Sequence, residues 1–487
     1  MLSTAGAATG WGVAPGVFRP GLRARDDPHA PSFGAELSDG SLVPGAGGLA
    51  PVLARCGPWP APAPVKGGGE VRFLHWIPDW VDKLQPQLQQ YQERTGTRIT
   101  VEPTDLGAYP TKVTAAFAAD AAPDVLFSYS QNDSKYYDAG SILDLSERWK
   151  RDRFNLGDYA LMGTERWCAK GYGMPFFAEP FGMYYNKTLL RQSGLPDPWD
   201  APLNGDWTWD DLAQMARRVS RPKQGDEPSG VYGLYWPYDN VTYFGPNVWS
   251  FGGDHVDFER MRWALDSPVA LEAFQRFSRW LRTERTAIAV GGAEWQALAQ
   301  AYPGKNPFQA GRAAFWYRSV TEIGWNQQRI GSDFEWDLLP VPRQGSQAGV
   351  SMTAGHPHII WARSRYPDQA YDLTRYLAGP EVQEFTGRAR ISLPALKAKF
   401  DSFLSPPPVP HVHVLPDIYK RPRGIHFRHH NTPENWAQYG QAITPLLLGD
   451  QPLVEGLREL NRQMNDRVEY GGCAPYKGLK HPLPPGA

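Results

Sequence analysis

Cysteine is nearly absent from this chain: three occur among 487 residues, at Cys56, Cys168 and Cys473. They form no CxxC and no metal-finger spacing, which excludes a disulfide framework and a thiolate metal site. Cys168 and Cys473 are read as two separate buried thiols, with pairing in an oxidising compartment as the alternative. An excess of one charge sign is missing too. The 50 basic and 51 acidic residues leave a net charge of −1, so no global field draws nucleic acid or an anionic bilayer, and a neutral small molecule is the better partner. No window approaches 18 consecutive apolar residues. A nucleophile elbow, a Walker loop, a HExxH pair and a GxGxxG after a strand are all missing, which points away from an enzyme and from a bound cofactor.

What is abundant is length and aromatic surface. The length predicts two or three structural units. The 19 Trp, 22 Tyr and 21 Phe must serve cores or a binding surface. Residues 1–69 are dense in Gly, Pro and Ala, carry no sustained periodicity and are expected to form a disordered leader or linker. They occupy the place of an export leader, yet the first basic residue is Arg19, so no positive n-region precedes an apolar one. Cys56 after the weakly apolar stretch 41–54 suggests a lipid anchor, although Arg55 stands where a small residue is expected.

From Glu70 the pattern is globular. Residues 71–76 read as a buried strand, and Val81, Leu84, Leu88 and Tyr91 recur at helical spacing up to Gly96. Residues 99–102 and 124–129 read as further strands. Residues 172–175 and 183–185 read as strands flanking an irregular stretch that contains Glu179 and Pro180. Thr208 and Asp211 form a helix start resembling a capping box, Ser267 and Pro268 open another helix, and 370–377 make a third, closed by Gly379 and Pro380. Strands are predicted at 334–339 and 358–362, and a terminal amphipathic helix at 453–468. This alternation predicts an α/β fold with parallel sheets, in which the chain returns late to its first unit.

The histidines of HFRHH (His426, His429, His430) and the pairs His356/His358 and His411/His413 lack clustered acidic or thiol partners, so no metal site is assigned. Asp210/Asp211 and Asp26/Asp27 fit a helix first turn and the leader rather than an acid/base pair. Glu179 differs, because it lies between aromatic-rich strands where a carboxylate can accept from paired hydroxyls. Trp236, Tyr243, Trp249, Trp316, Tyr317 and Trp325 crowd the middle of the chain. Flat rings of this kind cover the apolar faces of pyranoses, and core packing is the ordinary alternative for each.

The order of motifs is more specific than any one of them. EVRFLHWIPDW, YQERTGTRITVE, APDVLFSYSQND, AGSILDLSERW, GYGMPFFAEPFGMYYNKTLLRQSGLPDP and DWTWDDLAQMARRV, followed by SFGGDHVDF, NPFQAGRAAFWYRS, EWDLLPVPRQG and ISLPALK, resemble the extracellular solute-binding proteins of ABC importers. The resemblance is to their carbohydrate-binding branch and covers about residues 70–468. It implies two α/β lobes joined by crossing hinge strands, with a ligand cleft between them and no catalysis. The lobes would take residues 70–180 with 340–397, and 181–339 with 398–470, leaving 471–487 as a tail. It further implies a monomer that captures a mono- or oligosaccharide outside the cytoplasm, in the periplasm or at the cell surface, and delivers it to membrane permease subunits.

Mapped onto this chain, the resemblance proposes Trp76 and Asp79 after the first strand, Gln131 and Asn132 after DVLFS, Glu179, Tyr243 and Trp249 before the GGD turn, Arg318, and His356 at the rim. Thr321 stands where the family commonly has a stacking Trp, with Trp316 or Trp325 as substitutes. Two alternatives stay open. The same fold could hold a glycerophosphodiester, peptide or polyamine, and the basic run 420–428 keeps a phosphorylated ligand open. A glycan-active enzyme would need a second carboxyl facing Glu179.

Overall fold

A computed structural model describes residues 68–128, 133–160, 166–167, 170–257, 260–346, 349–420 and 432–469. The expected leader before residue 68, all three cysteines, Gln131, Asn132, the HFRHH histidines and the basic run beyond Lys420 lie outside the described residues.

Nine strands form one mixed sheet: β1 (Glu70–His75), β2 (Arg98–Pro103), β3 (Val125–Phe127), β4 (Gly173–Asn186), β5 (Tyr232–Tyr235), β6 (Ala313–Ser319), β7 (Trp336–Leu339), β8 (Thr353–Ile360) and β9 (Leu393–Pro394). Their order is β2-β1-β3-β8-β4-β6-β5, with β7 and β9 also pairing with β4. The opening β-α-β unit follows its sequence pattern. Trp80, Val81, Leu84, Leu88 and Tyr91 form the buried face of the helix Pro78–Thr95. Gly96, at φ 74°, ends that helix in the left-handed region, and its N–H reaches the Gln92 carbonyl at 2.8 Å. β1 then pairs in parallel with both β2 and β3.

The expectation of parallel sheets holds only there and for β5 with β6. β8 runs antiparallel to β3 and β4, and β6 and β7 run antiparallel to β4. The late return of the chain places β8 between β3 and β4, and it runs against both.

A second correction concerns Glu179 and Pro180, which are not irregular. They lie inside β4, a single strand of 14 residues. Proline is tolerated mid-strand where no ladder donor is required. Pro180 sits where β4 changes partner: residues 173–180 pair with β8, and residues 181–185 pair with β6. The Pro180 carbonyl still accepts from Val320 N at 2.9 Å. His356 likewise lies within β8, beside a bulge at His356/Pro357, because that strand starts at Thr353 and not at the expected residue 358.

Three cores pack around this shared strand. One joins Val71, Phe73, Leu84, Phe127, Phe176, Ile359 and Leu377. The second joins Met183, Tyr185, Trp209, Phe274, Phe315, Tyr317, Ile443 and Leu460. The third takes Tyr184, Trp316, Leu338, Phe308 and Leu415. Met183 and Tyr185 against Tyr184, and Phe315 and Tyr317 against Trp316, show the period of two that sends alternate residues to opposite faces. The last two cores therefore cover the two faces of the same strands. Helix Trp209–Val219 starts with a complete capping box, with Thr208 and Asp211 exchanging side-chain and backbone bonds.

Candidate ligand site where the lobes share a strand

Glu179 is the only residue of β4 that is not fully buried. It faces Ala354 of β8 in register, and His356, two residues further on and on the same face, brings Nε2 to 3.7 Å from Glu179 Oε2. The His356 ring meets Trp76 edge-on at 5.2 Å, and Trp76 stacks on Phe127 at 5.1 Å while its Nε1 donates to the Ser128 carbonyl at 3.4 Å. Trp76 reaches this point because β1 ends at His75 and the chain turns there into its helix.

Beyond Pro180, β6 contributes Arg318, paired in register with Gly182 of β4. Its Nε donates to Glu322 Oε1 at 3.1 Å, and its guanidinium carbon lies 4.7 Å from the centre of the Tyr243 ring. Tyr243 rests against Phe181 at 5.1 Å. The charges are mutually dependent. Burial works against the Arg318 cation, but Tyr243, Glu322, Tyr235 and Glu179 outweigh it and raise its pKa above the ordinary value. Burial raises the Glu322 carboxyl, with Arg318 opposing and Glu179 adding to the rise. Asp239, in the turn after β5, is pushed up to about 7 by burial, against its own backbone amide and Arg318. Tyr235 is raised by burial, with Asp239, Glu322 and Tyr243 adding to the rise and Arg318 opposing.

The cluster thus offers a carboxylate acceptor, a guanidinium donor, an imidazole, phenol hydroxyls and the aromatic rings of Trp76 and Tyr243. These groups suit a small polar solute rich in hydroxyls. Of the residues expected from sequence, the structure brings together Trp76, Glu179, Tyr243, Arg318 and His356. Asp79 is exposed in the first turn of its helix, where its charge complements the dipole. Trp249 is buried in the second core, its Nε1 donating to Asp254 Oδ1 at 3.2 Å. Trp316 stands one layer behind the cluster, stacked on Tyr235 at 5.6 Å. Trp325 packs with the first core although it follows Glu322 in the chain. Thr321 exchanges a 2.7 Å hydrogen bond with Ser319.

Sequence reasoning missed Glu322, Asp239 and Tyr235. Only Glu322 carried a signal, its i,i+4 spacing from Arg318. It also places a second carboxyl near Glu179, but that carboxyl is tied to Arg318. A cavity of about 640 Å³ lies elsewhere, beyond the end of β4, between Lys187, Gln327, Trp336 and Pro408–Pro410. Seven residues of strand, about 23 Å, separate Glu179 from Asn186, and none of the cluster residues lines that cavity.

Fold and cluster together define a two-lobed binding protein with its polar residues gathered where the lobes share a strand. A family described as bacterial extracellular solute-binding protein matches residues 77–384, and the chain belongs to it. Members of this family are exported solute binders rather than enzymes. The chain is 26% identical over 250 residues to a probable ABC transporter-binding protein of Deinococcus radiodurans, covering 50% of this chain and 56% of that one. It is 26% identical over 164 residues to the maltotriose-binding protein of Pyrococcus abyssi, covering 33% and 32%. The chain therefore spans about half or less of the length of these curated relatives. In fold it matches the ABC substrate-binding protein Lmo0181 of Listeria monocytogenes, solved in complex with cycloalternan, with TM-score 0.70 and 17% identity over 82% of this chain and 99% of that one. No helix among the described residues is long and apolar enough to cross a membrane.

Proposed function

We propose that this protein captures a mono- or oligosaccharide in the cluster around Glu179 and delivers it to the permease subunits of an ABC importer, without chemical turnover. The observation that carries this reading is the convergence of Glu179, His356 and Trp76 from one lobe with Arg318 and Tyr243 from the other. Paired hydroxyls of a sugar donate to Glu179 and accept from Arg318, and its apolar face lies against an aromatic ring. The saccharide names of the relatives support the ligand class. Hinge bending about β4 and its crossing neighbours would close residues 70–180 with 340–397 over residues 181–339 with 398–470. Export, with or without a lipid on Cys56, places the site where the solute is met.

A thermal-shift screen against maltose, maltotriose, mannitol and monosaccharides tests this. A specific ligand at 100 times its Kd stabilises by about 2.7 kcal/mol. Glu179→Gln should weaken the best ligand at least about tenfold through loss of a charge-assisted bond. Absence of any shift removes the sugar, unchanged affinity in the variant removes the site, and release of reducing ends from glycans removes the non-enzymatic reading.

A further inference from the structure

Asp239 has no role in the reading above, and its setting is unusual. It is 8% exposed, and its Oδ1 is shielded from solvent with no hydrogen-bond partner among the described residues. The turn that carries it is held firmly on both sides. Trp236 and Tyr238 are fully buried. Trp236 stacks on Tyr317 at 4.4 Å and donates from Nε1 to the Tyr243 carbonyl at 2.5 Å. The Tyr439 hydroxyl donates to the Tyr238 carbonyl at 3.0 Å. The carboxylate is therefore presented by a rigid frame, immediately before the helix Val241–Trp249 that supplies Tyr243. A buried acceptor without a donor weakens the folded state, and a position needed only for packing is served better by an uncharged side chain.

We propose that Asp239 is a ligand-reading residue, whose Oδ1 accepts a hydrogen bond from a hydroxyl or other donor of the captured solute. This rests on the solute occupying the cluster proposed above. The charged and titratable groups acting on Asp239 are Arg318 from β6 and Tyr235 from β5, with Tyr238 of its own turn. Burial pushes the free carboxyl up to about 7. A solute that donates to the carboxylate selects the ionised form, so the apparent Kd rises as that fraction falls. The ionised fraction drops about 30-fold between pH 8 and pH 5.5.

The test is isothermal titration of the full chain with maltose, maltotriose and mannitol at pH 8 and pH 5.5, for the native protein and Asp239→Asn. The native protein should lose about 30-fold in affinity across this range. The variant should bind at least about tenfold more weakly at pH 8 and show little pH dependence. Ligand-free Asp239→Asn should also unfold at higher urea than the native protein at pH 8, because the buried charge is gone; a packing role would shift it the other way. A variant that keeps the native affinity and pH profile overturns the inference and leaves the site standing. So does a destabilised variant that retains the profile, or a native protein whose affinity does not change with pH. Failure of the native protein to bind any of the three probes removes the sugar reading and this inference with it.

Discussion

Lowering the pH should unfold this protein through two histidines. His75 and His358 are fully buried, and three of their four ring nitrogens, His75 Nε2 and both of His358, have no hydrogen-bond partner among the described residues. His75 Nδ1 accepts from Ile77 N at 3.0 Å and its ring stacks on Phe127 at 4.3 Å. His358 lies among Phe73, Phe127 and Phe176 at 5.2, 5.4 and 4.7 Å. Burial pushes His358 down from 6.5 to about 3. Burial, with the neighbouring His358, pushes His75 well below its ordinary value. The unfolded chain takes up both protons near pH 6.5 and the folded chain does not, so the stability is present above pH 6.5 and is lost as pH falls. Between pH 6.5 and 4.5 His358 alone removes about 2.3 kcal/mol, and His75 adds a loss of the same sign, against a total of about 5–15 kcal/mol for a typical domain. His358→Leu separates this from carboxylate titration. Urea midpoints at pH 7 and 4.5 should show the variant gaining about 2.7 kcal/mol on the native protein over that interval. At pH 7 it should be equal or more stable, since no hydrogen bond of His358 is lost. A difference between the two proteins that stays constant with pH refutes the reasoning.

Arg318→Met leaves Glu322, 3% exposed, without the cation that neutralises it. It should destabilise by about 3–5 kcal/mol in urea, and Arg318→Met/Glu322→Leu should recover most of that loss; equal damage in both variants would mean that the ion pair is not what matters there. Gly233→Ala places a methyl 2.3 Å from Ala216 Cα, in the backbone of the helix packed on β5. The helix must shift, at about 1–3 kcal/mol, and a thermal midpoint equal to the native one would contradict this close approach.

Much of the fold was legible in local pattern. The period of 3.6 placed Val81 to Tyr91 on one helix face, the Thr208/Asp211 spacing marked a cap that forms in full, and Pro380 after Gly379 closed a helix, because each signal concerns atoms within a few residues. The course through Glu179 and Pro180 was not legible. Local propensity treats a mid-strand proline as a break, whereas the exchange of partners from β8 to β6 leaves that position without need of a donor. The aromatics divide for the same reason. Tyr243 lies in the cluster, while Trp249, six residues later on the same helix, is part of a core.

The sequence by itself determined the chemical inventory: balanced charge, scarce cysteine, abundant aromatics, and an ordered series of motifs that resembled the extracellular solute binders. These are properties of composition and of short segments, and they do not depend on where the segments meet. Only the tertiary structure decided which polar groups converge. Glu179 meets His356 across 177 positions of chain, and Arg318 meets Tyr243 across 75, because β4 changes partner at Pro180 and brings β8 and β6 to its two halves. The unpartnered oxygen of Asp239 is the clearest case, since its burial and its place beside Arg318, 79 positions later in the chain, follow from packing that no local spacing in the sequence encodes.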